Sequence, residues 1–404
     1  MNWFKRGMKL LFFTLVAIFA LLNTYLMLSK NTFLYGAVAK TYLKGKDAPT
    51  IFDLEEFDSL PVENNPNAVL ALPKHNVQID LPKDILDTIK SAKTASLLVL
   101  KDERIVYEYY RADIAKDSLT NSFSIAKTIV SLLVGKAITA GIIQSLDEPI
   151  LNYVVAYQTP ARNHLTFRHL LSMSSGMHWQ ESGINPLSHN AKAYYGDDLT
   201  GMMLDLNFPR PSGKNFLYQS GSTQLVAWAL LAAIQKHAEE KGLKTWAKSL
   251  SEYAQEEIWK HTGAAKPAFW QLDRPGGIEK AFCCFYATTE DFARLGHWTM
   301  QESRKSTPFG DYIHLAQTAD TALWDAEFEE QNRRYGLAFW LTQYQGETIP
   351  YFSGNSGQYI ILVPSKNVVI VRKGEQKIYP KKGKGNPIDV DFYVQHILTE
   401  IDAL

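Results

Sequence analysis

Residues 121–141, NSFSIAKTIVSLLVGKAITAG, constrain the fold more than any other stretch of this chain. Ile125, Ile129, Val130, Leu132, Leu133, Val134, Ala137 and Ile138 point all round a helical cylinder, the pattern of a helix buried on every side. Asn121 or Ser122 can cap its start, and Gly141 can end it. Polar groups are costly in such a setting unless paired. Yet the first turn carries Ser124 and, three residues on, Lys127, which at that spacing share one face and can touch.

A serine hydroxyl is a weak nucleophile until a base takes its proton. An amine withdrawn from water prefers its neutral form and becomes such a base. The positive end of the helix favours an anionic intermediate beside Ser124. The bland alternative has Ser124 bonding within the helix and Lys127 reaching out to water. Ser-x-x-Lys is a weak signal by itself, since average usage places roughly one or two by chance in a chain this long. Here 124/127 is the sole occurrence, and it falls at the start of a buried helix.

The 404 residues allow one large domain or two ordinary ones, and 46% apolar with 21% charged residues describes a globular chain with ample core. Forty-two basic residues balance 42 acidic ones, which argues against nucleic acid as a partner. At the N-terminus, Lys5, Arg6 and Lys9 precede an apolar run over residues 10–28, broken only by Thr14, Asn23 and Thr24. Its 19 residues are long enough to span a bilayer. The run reads as an uncleaved signal anchor. The rival, a cleaved signal peptide, would have its best cleavage site at residues 37–39, well beyond the apolar run. Lys30, Lys40, Lys44 and Lys46 follow the run, so the charge tally does not fix orientation. The short tail favours the N-terminus inside and the bulk of the protein outside the cytoplasm. Cys283 and Cys284 are adjacent; a bridge between neighbours closes no useful loop, and the expectation is two small apolar fillers of the core. No cysteine–histidine cluster or His-Glu-x-x-His run suggests zinc, and no metal or organic cofactor is expected.

The chain then divides into a tail over residues 1–9, the anchor over 10–28, a proline-broken connector over 29–80 and one domain over 81–404. Within that domain residues 81–92 read as a short helix opened by Pro82, and residues 94–101 and 104–110 as a hairpin turning at Asp102-Glu103. The buried helix follows. Further helices are expected over 165–175 (stopped by Gly176), 220–237, 289–300 and 389–401, with a turn at 211–213. Strands return over 334–342, 349–353, 358–363 and 367–372. The economical architecture is α+β: one antiparallel sheet built from both ends of the chain and flanked by helices, with an inserted, mostly helical region.

Two more stretches matter if Ser124 is a nucleophile. Tyr218-Gln219-Ser220 stands just before an apolar helix, where a phenol can relay a proton to a leaving group. A buried core tyrosine is the commoner fate of that residue, and residues 351–353 show the same pattern. Residues 354–358, GNSGQ, open a late strand; the backbone N–H of Gln358 can pair with that of Ser124 to hold an oxyanion, or the stretch can be a plain hairpin turn.

In this order the three stretches resemble the serine β-lactamase-like hydrolases, a superfamily that contains class C β-lactamases, D-alanyl-D-alanine carboxypeptidases, carboxylesterases and 6-aminohexanoate-dimer hydrolases. Its marks are Ser-x-x-Lys, matched by residues 124–127, Tyr-x-Asn/Ser, matched by 218–220, and a Lys/His-x-Gly triplet, aligned with Asn355, Ser356 and Gly357. Residues 142–154, 165–177, 273–284 and 286–296 look like the family too, and the likeness covers roughly residues 85–400. The resemblance implies Ser124 as the acylated nucleophile, Lys127 as base or partner of the base, and Tyr218 as proton shuttle. Ser220 would support the cluster, and Ser356 and Gly357 would line the substrate edge. One departure stands out: Asn355 occupies the place of a cation that holds a substrate carboxylate in penicillin-binding relatives. That turns the expectation from β-lactams and D-Ala-D-Ala peptides towards a neutral ester or amide. A non-catalytic binding protein on the same fold is the competing class. Residues 178–199 are expected to wall the pocket.

Overall fold

The computed structural model describes residues 2–154, 164–183, 185–243, 247–378 and 388–404. The chain opens with α1 (Asn2–Leu28) and α2 (Phe33–Lys40), then strand β1 (Ser59–Val62) and α3 (Lys83–Ser91). The hairpin of β2 (Thr94–Lys101) and β3 (Arg104–Tyr110) has its expected bounds, and its corner residues Asp102 and Glu103 both take positive φ, 51° and 62°, as a two-residue turn of this twist requires. A short β4 (Thr120–Asn121) leads into α4 (Ile125–Thr139). The helical middle comprises α5 (Phe167–Leu171), α6 (His189–Tyr195) and α7 (Leu199–Leu204), then, after β5 (Asn215–Phe216), α8 (Ser220–Glu240) and α9 (Leu250–Glu257). β6 (Ala268–Gln271) and β7 (Phe285–Ala287) precede α10 (Thr289–Ser303) and α11 (Pro308–Ala316). The chain closes with β8 (Trp324–Asp325), β9 (Glu330–Gln331), β10 (Trp340–Tyr344), β11 (Glu347–Gly354), β12 (Gln358–Val363), β13 (Val368–Gly374) and α12 (Ile388–Asp402).

The main sheet is antiparallel throughout, in the order β10-β11-β12-β13-β2-β3, so the C-terminal meander joins the N-terminal hairpin through β13 and β2. Alternation divides its side chains between two layers. Leu97, Val99, Ile361 and Ile370 pack under α3 and α12 with Ile85, Ile89, Val394 and Ile397. Leu98, Leu100, Ile360 and Val369 face the larger core that holds α4, α8 and α10. Gly296 lets α10 lie close on the sheet: a Cβ there would stand 2.6 Å from Ile360 Cγ2. α4 is buried on all sides, from Ile125 to Ala137, as its sequence requires. Gly141, at φ +70°, ends it, with Gly141 N–H bonding Ile138 and Ile142 N–H bonding Ala137 (3.0 and 2.9 Å), the double bond of a Schellman cap.

Several expectations change. The helix expected over 165–175 is only α5, capped by the Thr166 side chain; Gly176 lies beyond its end, at φ +74°, where a Cβ would meet the Arg210 carbonyl. β10 starts at Trp340 rather than 334, because residues 334–339 turn back to let Tyr335 bridge to Trp340. The connector expected over 29–80 is more than a tether. Ile51 and Val62 are buried in the main core, and β1 pairs with β6 in a second sheet, β1-β6-β7-β4. Cys283 and Cys284 are core residues, as expected, but they are bridged to one another, which overturns their reading as free apolar fillers.

α1 is exposed along almost its whole length, and its segment Trp3–Leu28 is long and apolar enough to cross a membrane by length and composition. The turn into α2 is held by Asn31 N–H on the Leu26 carbonyl at 2.8 Å.

Candidate active site

The site grows out of the turn between β4 and α4. Asn121 is held at every polar group: its Oδ1 accepts Phe123 N–H at 2.8 Å, its Nδ2 donates to Tyr286 Oη at 3.0 Å, and its carbonyl accepts buried Lys373 Nζ at 2.8 Å. These bonds keep Phe123 at φ +45°, a region that bulky residues rarely enter. The sequence offered Asn121 or Ser122 as cap; the structure puts Ser124 itself in that place, and its side chain makes no capping bond. Its hydroxyl is thus left to other partners.

Lys127 Nζ donates to Ser124 Oγ at 2.8 Å and to the Phe282 carbonyl at 2.8 Å. The residue is 1% exposed. Burial pushes the amine from its ordinary value of 10.5 down to about 8, with Glu181 pulling the other way. The Tyr218 ring lies 5.1 Å from Lys127 Nζ, and its phenol is close enough to Ser124 for that hydroxyl to act on its proton affinity. Loss of water around the phenol, and then the charge of Glu181, raise it above the usual tyrosine range, while the nearby Ser124 hydroxyl opposes that rise. Tyr218 is seated against Trp340 and Tyr335, at ring separations of 5.3 and 6.0 Å. So a hydroxyl, an amine and a phenol from residues 124, 127 and 218 meet in one place. Such a group can pass a proton from hydroxyl to amine and from phenol to a leaving group.

The remaining residues singled out by sequence sit at different distances from this centre. Ser220 begins α8, and both its N–H and its hydroxyl bond Glu181. Asn355, Ser356 and Gly357 form the short turn between β11 and β12, with Asn355 exposed. Buried Arg372 holds that turn, Nη1 reaching the carbonyls of Ser356 and Gly357 at 2.8 and 2.7 Å. Gln358 pairs with Gly354 across the hairpin, and its side chain turns away to the Gly374 carbonyl at 2.6 Å. The residue that meets the nucleophile turn is Gly354: a Cβ there would stand 2.2 Å from the Ser122 carbonyl oxygen. Within residues 178–199, of which Ile184 lies outside the described residues, Trp179 packs on Gly221 of α8. Two wide surface clefts, one lined by Leu70, Lys136, His297 and Trp298 and one by Phe33, Tyr195 and Arg274, lie away from Ser124.

Sequence reasoning missed Glu181, the Phe282 carbonyl and Arg372. Glu181 joins the site only through a contact 39 residues away, and a carbonyl has no side-chain signature.

Fold and site together define a serine β-lactamase-type hydrolase scaffold: an antiparallel sheet, a helical insert and a Ser-x-x-Lys helix between them. The beta-lactamase family model matches residues 84–372, well over half of the chain, and the protein belongs to that family. The 6-aminohexanoate-dimer hydrolase of Paenarthrobacter ureafaciens is 25% identical over 225 residues, 53% of each chain, so this chain spans about half the length of that curated relative. A Bacillus anthracis structure solved as a candidate 6-aminohexanoate-dimer hydrolase superposes with a TM-score of 0.70 at 19% identity, over 88% of this chain and 94% of that one. A class C β-lactamase from Rhodobacter sphaeroides superposes with a TM-score of 0.54 at 14% identity, over 78% and 100%. At these identities the solved structures speak for the fold.

Proposed function

We propose that the protein cleaves a neutral ester or amide through an acyl-enzyme on Ser124. The observation that carries this reading is the buried Lys127 amine, hydrogen-bonded to the Ser124 hydroxyl at 2.8 Å with the Tyr218 ring 5.1 Å away. In its neutral form the amine takes the hydroxyl proton, directly or with Tyr218 as relay, while Oγ attacks the carbonyl carbon. The tetrahedral oxyanion rests on the Ser124 N–H and on a second N–H from the Gly354–Gln358 hairpin end, with Gln358 as the sequence reading has it. The C–O or C–N bond then breaks as the phenol protonates the leaving group. Water, deprotonated by the same cluster, releases the acid and restores Ser124. Asn355 brings hydrogen bonds but no charge to the substrate edge, which suits an uncharged substrate. The curated relative is named as a hydrolase of a 6-aminohexanoate dimer, and hydrolysis is the class of reaction proposed for this chain. α1 anchors the protein in the membrane with the catalytic domain outside the cytoplasm.

A screen of short p-nitrophenyl esters, linear amides and nitrocefin tests the reading. Turnover of esters or amides that vanishes in Ser124→Ala is the expected result. Nitrocefin turnover alone would make the protein a penicillin-recognising enzyme instead, and no Ser124-dependent turnover of any substrate would leave a binding protein.

A further inference from the structure

Both carboxylate oxygens of Glu181 are taken by a single residue. Oε2 accepts Ser220 N–H at 2.8 Å and Oε1 accepts the Ser220 hydroxyl at 2.5 Å. α8 starts at Ser220, and Gln219 before it makes no capping bond, so a side chain from 39 residues upstream supplies both the acceptor and the negative charge that a helix start favours. Tyr218 lies two residues before Ser220, so this clamp fixes the segment that delivers the phenol. The clamp is itself seated. A Cβ on Gly221 would stand 2.5 Å from the Trp179 ring, which stacks on His189 at 5.5 Å.

The charge of the same carboxylate bears on the amine. The groups that bear on Lys127 are Ser124 Oγ and the Phe282 carbonyl by hydrogen bond, the Tyr218 and Phe282 rings at 5.1 and 5.8 Å, and Glu181 by charge. Tyr335 stands behind Tyr218 and feels Glu181 as well. Among the described residues Glu181 is the one charged group that acts on Lys127. We propose that Glu181 is a positioning residue of this centre: it clamps the Tyr218–Ser220 segment and thereby brings a negative charge to the edge of the cluster formed by Ser124, Lys127 and Tyr218. A desolvated amine with no anion near it releases its proton at too low a pH to be a strong base; the carboxylate offsets part of that loss and keeps its basicity in a working range.

The inference rests on the acyl-transfer reading of residues 124, 127 and 218. The full chain in detergent is compared with Glu181→Gln, which keeps the size and an acceptor for Ser220 but loses the charge. Rates of p-nitrophenyl ester hydrolysis and of fluorophosphonate labelling are followed from about pH 5 to about pH 10. The rising limb is expected to move to lower pH by about half a unit or more. Should Glu181→Gln not fold, Glu181→Asp retracts the charge and is expected to move the limb the same way by less. A limb that coincides with the wild-type one in whichever variant folds, whatever happens to the plateau rate, overturns the proposal. A wild-type protein that never labels at Ser124 removes the acyl-transfer reading instead, so the two failures are distinct.

Discussion

Burying Lys127 costs stability and leaves its amine neutral at a lower pH. Its amine is held inside the protein by one hydroxyl and one carbonyl, and burial brings its proton affinity down to about 8 from 10.5. The folded state therefore charges this group less readily than the unfolded chain does. The cost is fully present below pH about 8 and disappears as pH rises towards 10.5, so this group's contribution to stability improves across that window. Lys127→Met is expected to abolish ester turnover and to raise stability at pH 7 by about 1–3 kcal/mol, read from thermal or denaturant unfolding. An unchanged or lower unfolding midpoint would contradict the burial argument. Wild-type activity is expected to rise with pH through a limb near 8, where the amine becomes neutral. At this scale the sequence showed Ser124, Lys127 and Tyr218 because helix period and motif order bring them to notice. Glu181 was invisible: a lone carboxylate in a polar stretch reads as solvent-facing until the fold sets it on Ser220.

Elements place these residues through close backbone approaches. Gly354 ends β11 against the Ser122 carbonyl, and a methyl group there would meet that oxygen at 2.2 Å. Gly354→Ala is expected to push the sheet end off the nucleophile turn and lower kcat/KM by about ten-fold or more, with a modest change in melting temperature. Gly135 plays the matching part on the far side of α4, where a Cβ would fall 2.3 Å from the Tyr312 ring. That ring cannot retreat, because its hydroxyl bonds the Ser131 carbonyl at 2.8 Å. Gly135→Ala is expected to cost about 1–3 kcal/mol, seen as a lower unfolding midpoint. The long elements were legible: β2, β3 and β12 have the bounds their alternation suggests, α4 is apolar all round, and α8 is strongly apolar along most of its length. Short ones were not. α5 is five residues long, and its capping by Thr166, not its apolar count, decides its extent.

At the scale of the molecule the sheet closes only when residues 94–110 meet residues 340–374, so the two ends of the chain enclose the helices between them. That topology could be read from where the alternating stretches fall. The place of residues 51–62 could not, because β1 is four residues with a proline inside, and its partner strand lies some two hundred positions away. α1 stands outside this body with its apolar surface uncovered. The full chain is expected to sediment with membranes and resist alkaline carbonate extraction; recovery in the soluble fraction as an uncleaved chain would contradict the anchor. The central claim, a nucleophile on Ser124, is tested most directly by treating the intact protein with a fluorophosphonate and mapping the adduct by peptide mass spectrometry. The account predicts a single adduct on the peptide carrying Ser124, absent from Ser124→Ala and slowed in Tyr218→Phe. A folded protein that takes up no label there, or that labels equally well in the alanine variant, would contradict it.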